Sequence, residues 1–415
     1  MPEQRCKGTC DLSPDEMRRF RLLEGLFRDC CQGRGYEEVR TPTLEYLHLF
    51  TSIGTLTPGR LRRVYSFLDW DGWSGERVVL RPDGTIPIAR FYIDTMADRD
   101  VAKLFYVTNV FSFEETGKET REKWQCGTEL IGAGSTVADV ELVTLALEVL
   151  RKAGLKDIEL RLSHAGLIKA LLSKFGLSHG EQDRVFDRIL DGDLSALVEA
   201  KPENPEPGRA LAPLLDMKGR SSGFLKNLRA LFNHDLPELE ASLDNFIETV
   251  NLIESLGFSY QIDITSGRGF EYYTGMMFQL FAGDEHVGGG GRYDALIPLM
   301  GGRDVPASGF ALYLDRLMNL IEPEPPAGSH LQGVLIKVES GSDLLKDGFR
   351  LADSIREAGY TAEVYLGGQP PANRRWVLDI KGAVPPLVLM EQLSQKKFEL
   401  NSADEVLAVL GEKPG

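Results

Sequence analysis

Three prolines crowd the run Glu322-Pro323-Glu324-Pro325-Pro326-Ala327-Gly328-Ser329. Proline lacks a backbone N–H and fixes φ, so neither a helix nor a central strand can cross this run. Its composition is that of a linker. The chain therefore divides into a large unit over residues 1–322 and a small one over 331–415, joined by 323–330. At 415 residues it is long enough for each unit to bury a core of its own.

Within the large unit the first helix is well marked. Ser13 is a capping residue, Pro14 suits the first helical position, and Glu16 completes a capping box. Phe20, Leu22, Leu23, Leu26 and Phe27 then recur at helical spacing, and Gly33 and Gly35 stop the helix. Short apolar runs follow at 77–80, 103–111 and 125–131 and read as strands. The segment 137–154 reads as a long helix, and 158–162 as another strand. Residues from about 167 to 254 turn helical and are broken by Pro202, Pro205 and Pro207, which marks an insertion. Strand patterns resume at 260–264 and 276–281, and 311–320 reads as a helix. Beyond the linker, strands are expected at 333–338, 361–366 and 386–390, with helices at 342–358 and 372–381. Gly359 is placed as a helix stop.

A formal charge of −15 disfavours a surface built to read phosphates. No apolar run approaches the roughly 18 residues of a membrane span, and residues 1–11 lack the apolar core of a secretory signal. Cys6, Cys10, Cys30, Cys31 and Cys126 form neither a disulfide framework nor a zinc pattern. The expectation is a cytoplasmic protein without metal or cofactor.

Three segments carry chemistry. The first is Leu80-Arg81-Pro82-Asp83-Gly84-Thr85, a strand end, a turn and a helix start. The second runs from Phe111-Ser112-Phe113-Glu114 through Arg121 to Gln125-Cys126-Gly127-Thr128-Glu129. Gln125 and Glu129 lie four apart on a strand pattern, so both point to one face. A buried carboxylate and amide together can read an ammonium group. The third is Ser266-Gly267-Arg268-Gly269-Phe270-Glu271-Tyr272-Tyr273, followed by Gly288-Gly289-Gly290-Gly291-Arg292-Tyr293. An arginine between two glycines sits on permissive backbone and can grip a carboxylate with both arms of its fork. Singly, each segment also reads as an ordinary turn, a solvated hairpin or packed tyrosines.

Together these segments resemble the class II aminoacyl-tRNA synthetase core, and within it the histidyl-tRNA synthetase family. The resemblance runs from about residue 13 to 321. It implies an α+β fold: a mainly antiparallel sheet, a helical insertion, and a small C-terminal α/β domain like the anticodon-binding domain. Pro42 and Glu45 resemble the first class II motif and so imply a dimer interface. Residues 111–132 resemble the second motif, and 309–317 the third. Arg268-Gly269-Phe270-Glu271-Tyr272-Tyr273 is similar to the histidine-specific element. The resemblance assigns histidine binding to Asp83, Thr85, Gln125, Glu129, Arg268, Tyr272 and Tyr273.

The departures fall on the nucleotide side. Ser112 stands where the synthetases carry the arginine that holds the ATP α-phosphate. Tyr313 stands where the third motif carries glycine. Arg121 and Arg316 survive. A hydroxyl cannot replace a charged fork at a developing phosphate charge. A chain that keeps the amino-acid pocket but loses adenylation groups resembles the ATP phosphoribosyltransferase regulatory subunit family. That resemblance implies a non-catalytic protein with no catalytic residues of its own. It implies a homodimer that joins a short-form catalytic subunit in the first step of histidine biosynthesis, with histidine as ligand for feedback control. The alternatives are a histidyl-tRNA synthetase with an atypical second motif and a free-standing histidine sensor. Arg374-Arg375-Trp376 is the one candidate for a basic, aromatic face in the small unit, read as a surface helix turn. That is too little for base recognition, so tRNA is not an expected partner.

Overall fold

The computed structural model describes residues 5–52, 61–70, 75–113, 120–173, 177–190, 195–199, 218–232, 237–264, 273–321, 333–339, 341–367, 374–382, 384 and 386–411. Arg268, Tyr272, the linker 323–330 and the loop 114–119 lie outside the described residues. The chain forms two compact units, Met1–Glu322 and Pro323–Gly415.

In the large unit, α1 (Pro14–Gly33) begins with the capping box read from the sequence. The Ser13 hydroxyl accepts from Glu16 N, and the Glu16 side chain accepts from Ser13 N. Such a cap is worth about 1 kcal/mol. The helix buries Phe20, Leu23 and Phe27, whereas Leu22 is exposed. Phe27 packs edge-on against Phe105 and Phe310, fixing the helix to one face of a nine-stranded sheet.

The sheet is antiparallel except at two joints near its edges. β1 (Glu37–Glu38) pairs in parallel with β5 (Ala102–Phe111). β7 (Ile158–His164) pairs in parallel with β9 (Gln261–Asp263). Between them lie β6 (Glu122–Ile131), β12 (Ala307–Tyr313), β11 (Glu285–Arg292) and β10 (Met276–Ala282). A separate three-stranded sheet has β4 (Gly75–Leu80) between β2 (Leu44–Tyr46) and β3 (Ser66–Trp70). The stretch 165–255 contributes helices, including Ala165–Ser173 and Pro237–Ser255. No helix among the described residues is long and apolar enough to cross a membrane.

Two expected helices are corrected. Residues 311–320 are not one helix: β12 runs through Tyr313 and only Leu314–Leu320 is helical. Ala311 and Leu312 favour helix locally, but their backbones are paired on both sides, to β6 and to β11. Residues 372–381 contain a strand, Trp376–Ile380, paired in parallel with Val334–Val338 and antiparallel with Leu387–Glu391. It is the centre of a five-stranded sheet in the small unit. Ile336, Leu378, Leu389 and Val406 form that unit's core. Gly359, with φ +87°, ends the helix Ser342–Glu357. Arg374 and Arg375 border a strand, not a helix turn, and pair with Glu363 and Glu391.

Candidate functional site

One face of the large sheet packs on helices; the other bears the polar residues singled out above. Strand register decides which side chains share it. Gln125 lies opposite Thr108 and Tyr313, Gly127 opposite Tyr106 and Ala311, and Glu129 opposite Leu104 and Gly309. Gln125 and Glu129 thus do point to one face, and both are buried.

Small residues form the floor so that polar rings can lie across it. A Cβ on Gly127 would collide with the Tyr106 ring. A Cβ on Gly309 would collide with the Glu129 carboxylate and come within 2.8 Å of the Tyr293 hydroxyl.

Glu129 is 1% exposed and stands at the centre of a ring of hydroxyls. Tyr106 Oη donates to its Oε1 at 3.3 Å, Tyr293 Oη donates to its Oε2, and Thr85 also bonds it. Burial pushes its carboxyl up to about 8; the hydroxyl donors oppose that shift and the Asp83 charge reinforces it. Burial likewise raises the Tyr106 and Tyr273 phenols, with the charges of Glu129 and Asp83 adding to it. Asp83 and Thr85 reach the site from the turn after β4. Asp83 Oδ1 accepts from Ile86 N at 2.9 Å, in the first turn of α3 (Thr85–Thr95). Gly84 holds this turn against Gln125 Nε2, which a Cβ would approach to 2.7 Å.

The structure therefore brings Asp83, Thr85, Gln125, Glu129 and Tyr273 together in one largely buried polar cluster. Arg292, the charged residue after the glycine run, is not part of it. It is buried in an ion pair with Asp139, 2.6 Å away, and its carbonyl accepts from Thr274 N. This anchors the chain that emerges at Tyr273.

A raised carboxyl pKa has a consequence for stability. The usual value is 4.5, which the unfolded chain would show, and the folded value is about 8. The folded state holds the proton more tightly, so this contribution is full below 4.5 and is lost as pH rises towards 8. Glu129→Gln should abolish that loss. Relative to wild type, its unfolding free energy should rise by up to about 1.4 kcal/mol per pH unit across the window and then level off. Parallel denaturation curves for the two proteins from pH 5 to 9 would refute the assignment.

The residues where the chain departs from the synthetase motifs adjoin Gln125. Tyr313 is its cross-strand neighbour on the floor. The Tyr313 ring meets His286 edge-on at 5.4 Å and lies under the Arg316 guanidinium at 5.3 Å. Arg316 in turn donates to His286 O at 2.7 Å and pairs with Glu285 at 3.3 Å. Ser112 and Arg121 sit where the β5–β6 pairing ends, with Ser112 N donating to Arg121 O. The Arg121 guanidinium stacks on Phe113 at 4.7 Å.

Comparison with known proteins separates two closely related histidine proteins. A sequence profile of the histidyl-tRNA synthetase family matches residues 8–317. Over 406 residues, 98% of either chain, the protein is 52% identical to the ATP phosphoribosyltransferase regulatory subunit of Dehalococcoides mccartyi. This chain belongs to that regulatory subunit family. Its similarity to the histidine-tRNA ligase of Methanocaldococcus jannaschii is 32% identity over 88% of this chain and 86% of that one. A Bacillus halodurans crystal structure, described as an ATP phosphoribosyltransferase regulatory subunit/histidyl-tRNA synthetase, has the same class II fold. It aligns at TM-score 0.78 and 23% identity over 92% of this chain and all of that one.

For this regulatory-subunit family member, sequence reading missed two members of the cluster, Tyr106 and Tyr293. Tyr106 carried a faint signal, alternating with Thr108 and opposite Gly127. Tyr293 carried none beyond its place after the glycines. Pro42 and Glu45 lie away from the floor. Glu45 faces inward, where Arg90 holds both its oxygens at 2.9 and 3.1 Å.

Proposed function

We propose that the chain binds free histidine in a recess at this cluster. On this reading it is the non-catalytic partner of a short-form ATP phosphoribosyltransferase catalytic subunit in the cytoplasm. Histidine binding then serves feedback control of the first step of histidine biosynthesis. The observation that carries the reading is the asymmetry of the cleft. Its amino-acid side is a complete cage of donors and acceptors around Glu129, while Tyr313 and its own Arg316 cover the floor on the nucleotide side. Asp83 and Gln125 suit the ligand ammonium, and Glu129 with Tyr273 suits the imidazole at the base. Arg268 and Tyr272, outside the described residues, complete the proposed set, with Arg268 for the carboxylate. Ser112, Arg121, Tyr313 and Arg316 are then a vestigial nucleotide site.

The reading includes a homodimer through the segment around Pro42 and Glu45. Glu45 is buried and Pro42 is exposed, and their neighbours supply the rest of the surface. Leu44, Tyr46 and Phe67 share one face of the small sheet, each between 46% and 48% exposed. A cluster of that kind marks an association face. Among the described residues of the small unit, Arg374 and Arg375 are each paired with a glutamate, and this supports a role without tRNA.

The test is reconstitution. A short-form catalytic subunit is expected to co-purify with the chain, and histidine should change its phosphoribosyl-transfer rate only when the chain is present. A catalytic subunit that neither binds the chain nor acquires histidine sensitivity from it rules the proposal out and favours a free-standing sensor.

A further inference from the structure

Arg81 is 4% exposed, and among the described residues no carboxylate lies within ion-pair distance of it. Carbonyl oxygens solvate its charge instead. Nη1 donates to Thr41 O and Pro42 O, both at 3.0 Å. Nε donates to Asn109 O at 2.7 Å, and Nη2 to Asn109 Oδ1 at 2.8 Å. Its own amide donates to Thr43 O, and its carbonyl accepts from Phe111 N, each at 3.0 Å. One residue thus fastens the segment before β2 to the end of β5, and Asp83 follows two positions later.

On the other side of the Asp83–Thr85 turn, Arg90 of α3 holds Glu45 of β2 with two bonds. The segment Thr41–Tyr46 is therefore bolted to both flanks of the turn, while Leu44 and Tyr46 point outward. Gly84 leaves the turn no slack, being pressed on Tyr106 and Gln125. A shift of the turn towards a ligand must carry the outward face with it, because a packed interior transmits displacement.

We infer that Arg81 is a positioning residue that couples the recess to the β2–β4–β3 surface, so that histidine binding and self-association form one linked equilibrium. This inference rests on the histidine and dimer readings above. Linkage then requires reciprocity: with one histidine per chain, saturating histidine tightens the dimer by the square of the factor by which dimerisation tightens each site.

The full chain is diluted in sedimentation runs with and without saturating histidine. For wild type the dimer dissociation constant should change by about tenfold, the usual scale of such coupling. Arg81→Lys keeps the charge but loses the planar fork that spans Thr41, Pro42 and Asn109. Both equilibria should persist in it, with the ratio of dissociation constants falling to about one. A merely structural role would lower the folded fraction without moving that ratio. If Arg81→Lys does not fold, amide exchange on the wild-type dimer decides. Histidine should slow exchange at Arg81 N and Phe111 N, and unchanged rates there overturn the coupling. A wild-type ratio of one, in a chain that binds histidine and dimerises, overturns the coupling alone. So does a ratio retained in Arg81→Lys. A chain that binds no histidine overturns the pocket reading together with it, and one that stays monomeric overturns the dimer reading together with it.

Discussion

Histidine-dependent pyrophosphate exchange by the purified chain is expected to fall at least two to three orders of magnitude below synthetase turnover, roughly the loss caused by removing one preorganised group at a developing charge. Two independent features set this expectation. Ser112 offers a hydroxyl in place of a permanently charged fork at the phosphate. Tyr313 shares the floor with Gln125 and is pinned there by His286 and Arg316. Arg316, one of the two surviving arginines, is itself engaged with His286 O and Glu285. Ser112→Arg alone should leave exchange near background, because the ring still covers the floor. Only with Tyr313→Gly added should a measurable gain appear. Synthetase-like exchange by the wild-type chain would remove the regulatory reading, and full rescue by Ser112→Arg would remove the role given to Tyr313.

Calorimetry with free histidine should give one binding event per chain, weakened by about 2 kcal/mol or more in either Glu129→Ala or Arg268→Ala. The Glu129 change removes an acceptor that three hydroxyls surround and leaves the buried Tyr106 and Tyr293 phenols without it. The Arg268 change removes the only fixed cation proposed for the ligand carboxylate. The two variants should differ without ligand. Loss of Glu129 disturbs the empty recess and so should lower thermal stability, whereas loss of Arg268 should act chiefly on binding. No heat at roughly millimolar histidine, or two variants that bind like wild type, would mean that the recess is an unused relic.

Much of this was legible from local chemistry. The α1 cap, the Gly359 stop and the shared face of Gln125 and Glu129 each follow from a rule spanning a few residues. What the sequence concealed depends on distant partners. The last three residues of the strand at 307–313 look helical until β6 and β11 are laid beside them. The hydroxyls that cage Glu129 come from positions 23 and 164 residues away. Arg81 reads as one residue of a turn, and only the fold reveals that its fork gathers carbonyls from two remote segments.

The collision between an added Cβ at Gly309 and the Glu129 carboxylate restricts how this recess can drift. Any side chain on β12 at that point evicts the carboxylate from its hydroxyl cage. Any shortening of Glu129 on β6 opens a hole above bare backbone. Neither a side chain at 309 nor a shortened one at 129 is an acceptable single step. A lineage that abandons or redirects the recess must alter both positions together or pass through a damaged intermediate, while Ser112 and Tyr313, at the other end of the cleft, are free of that constraint.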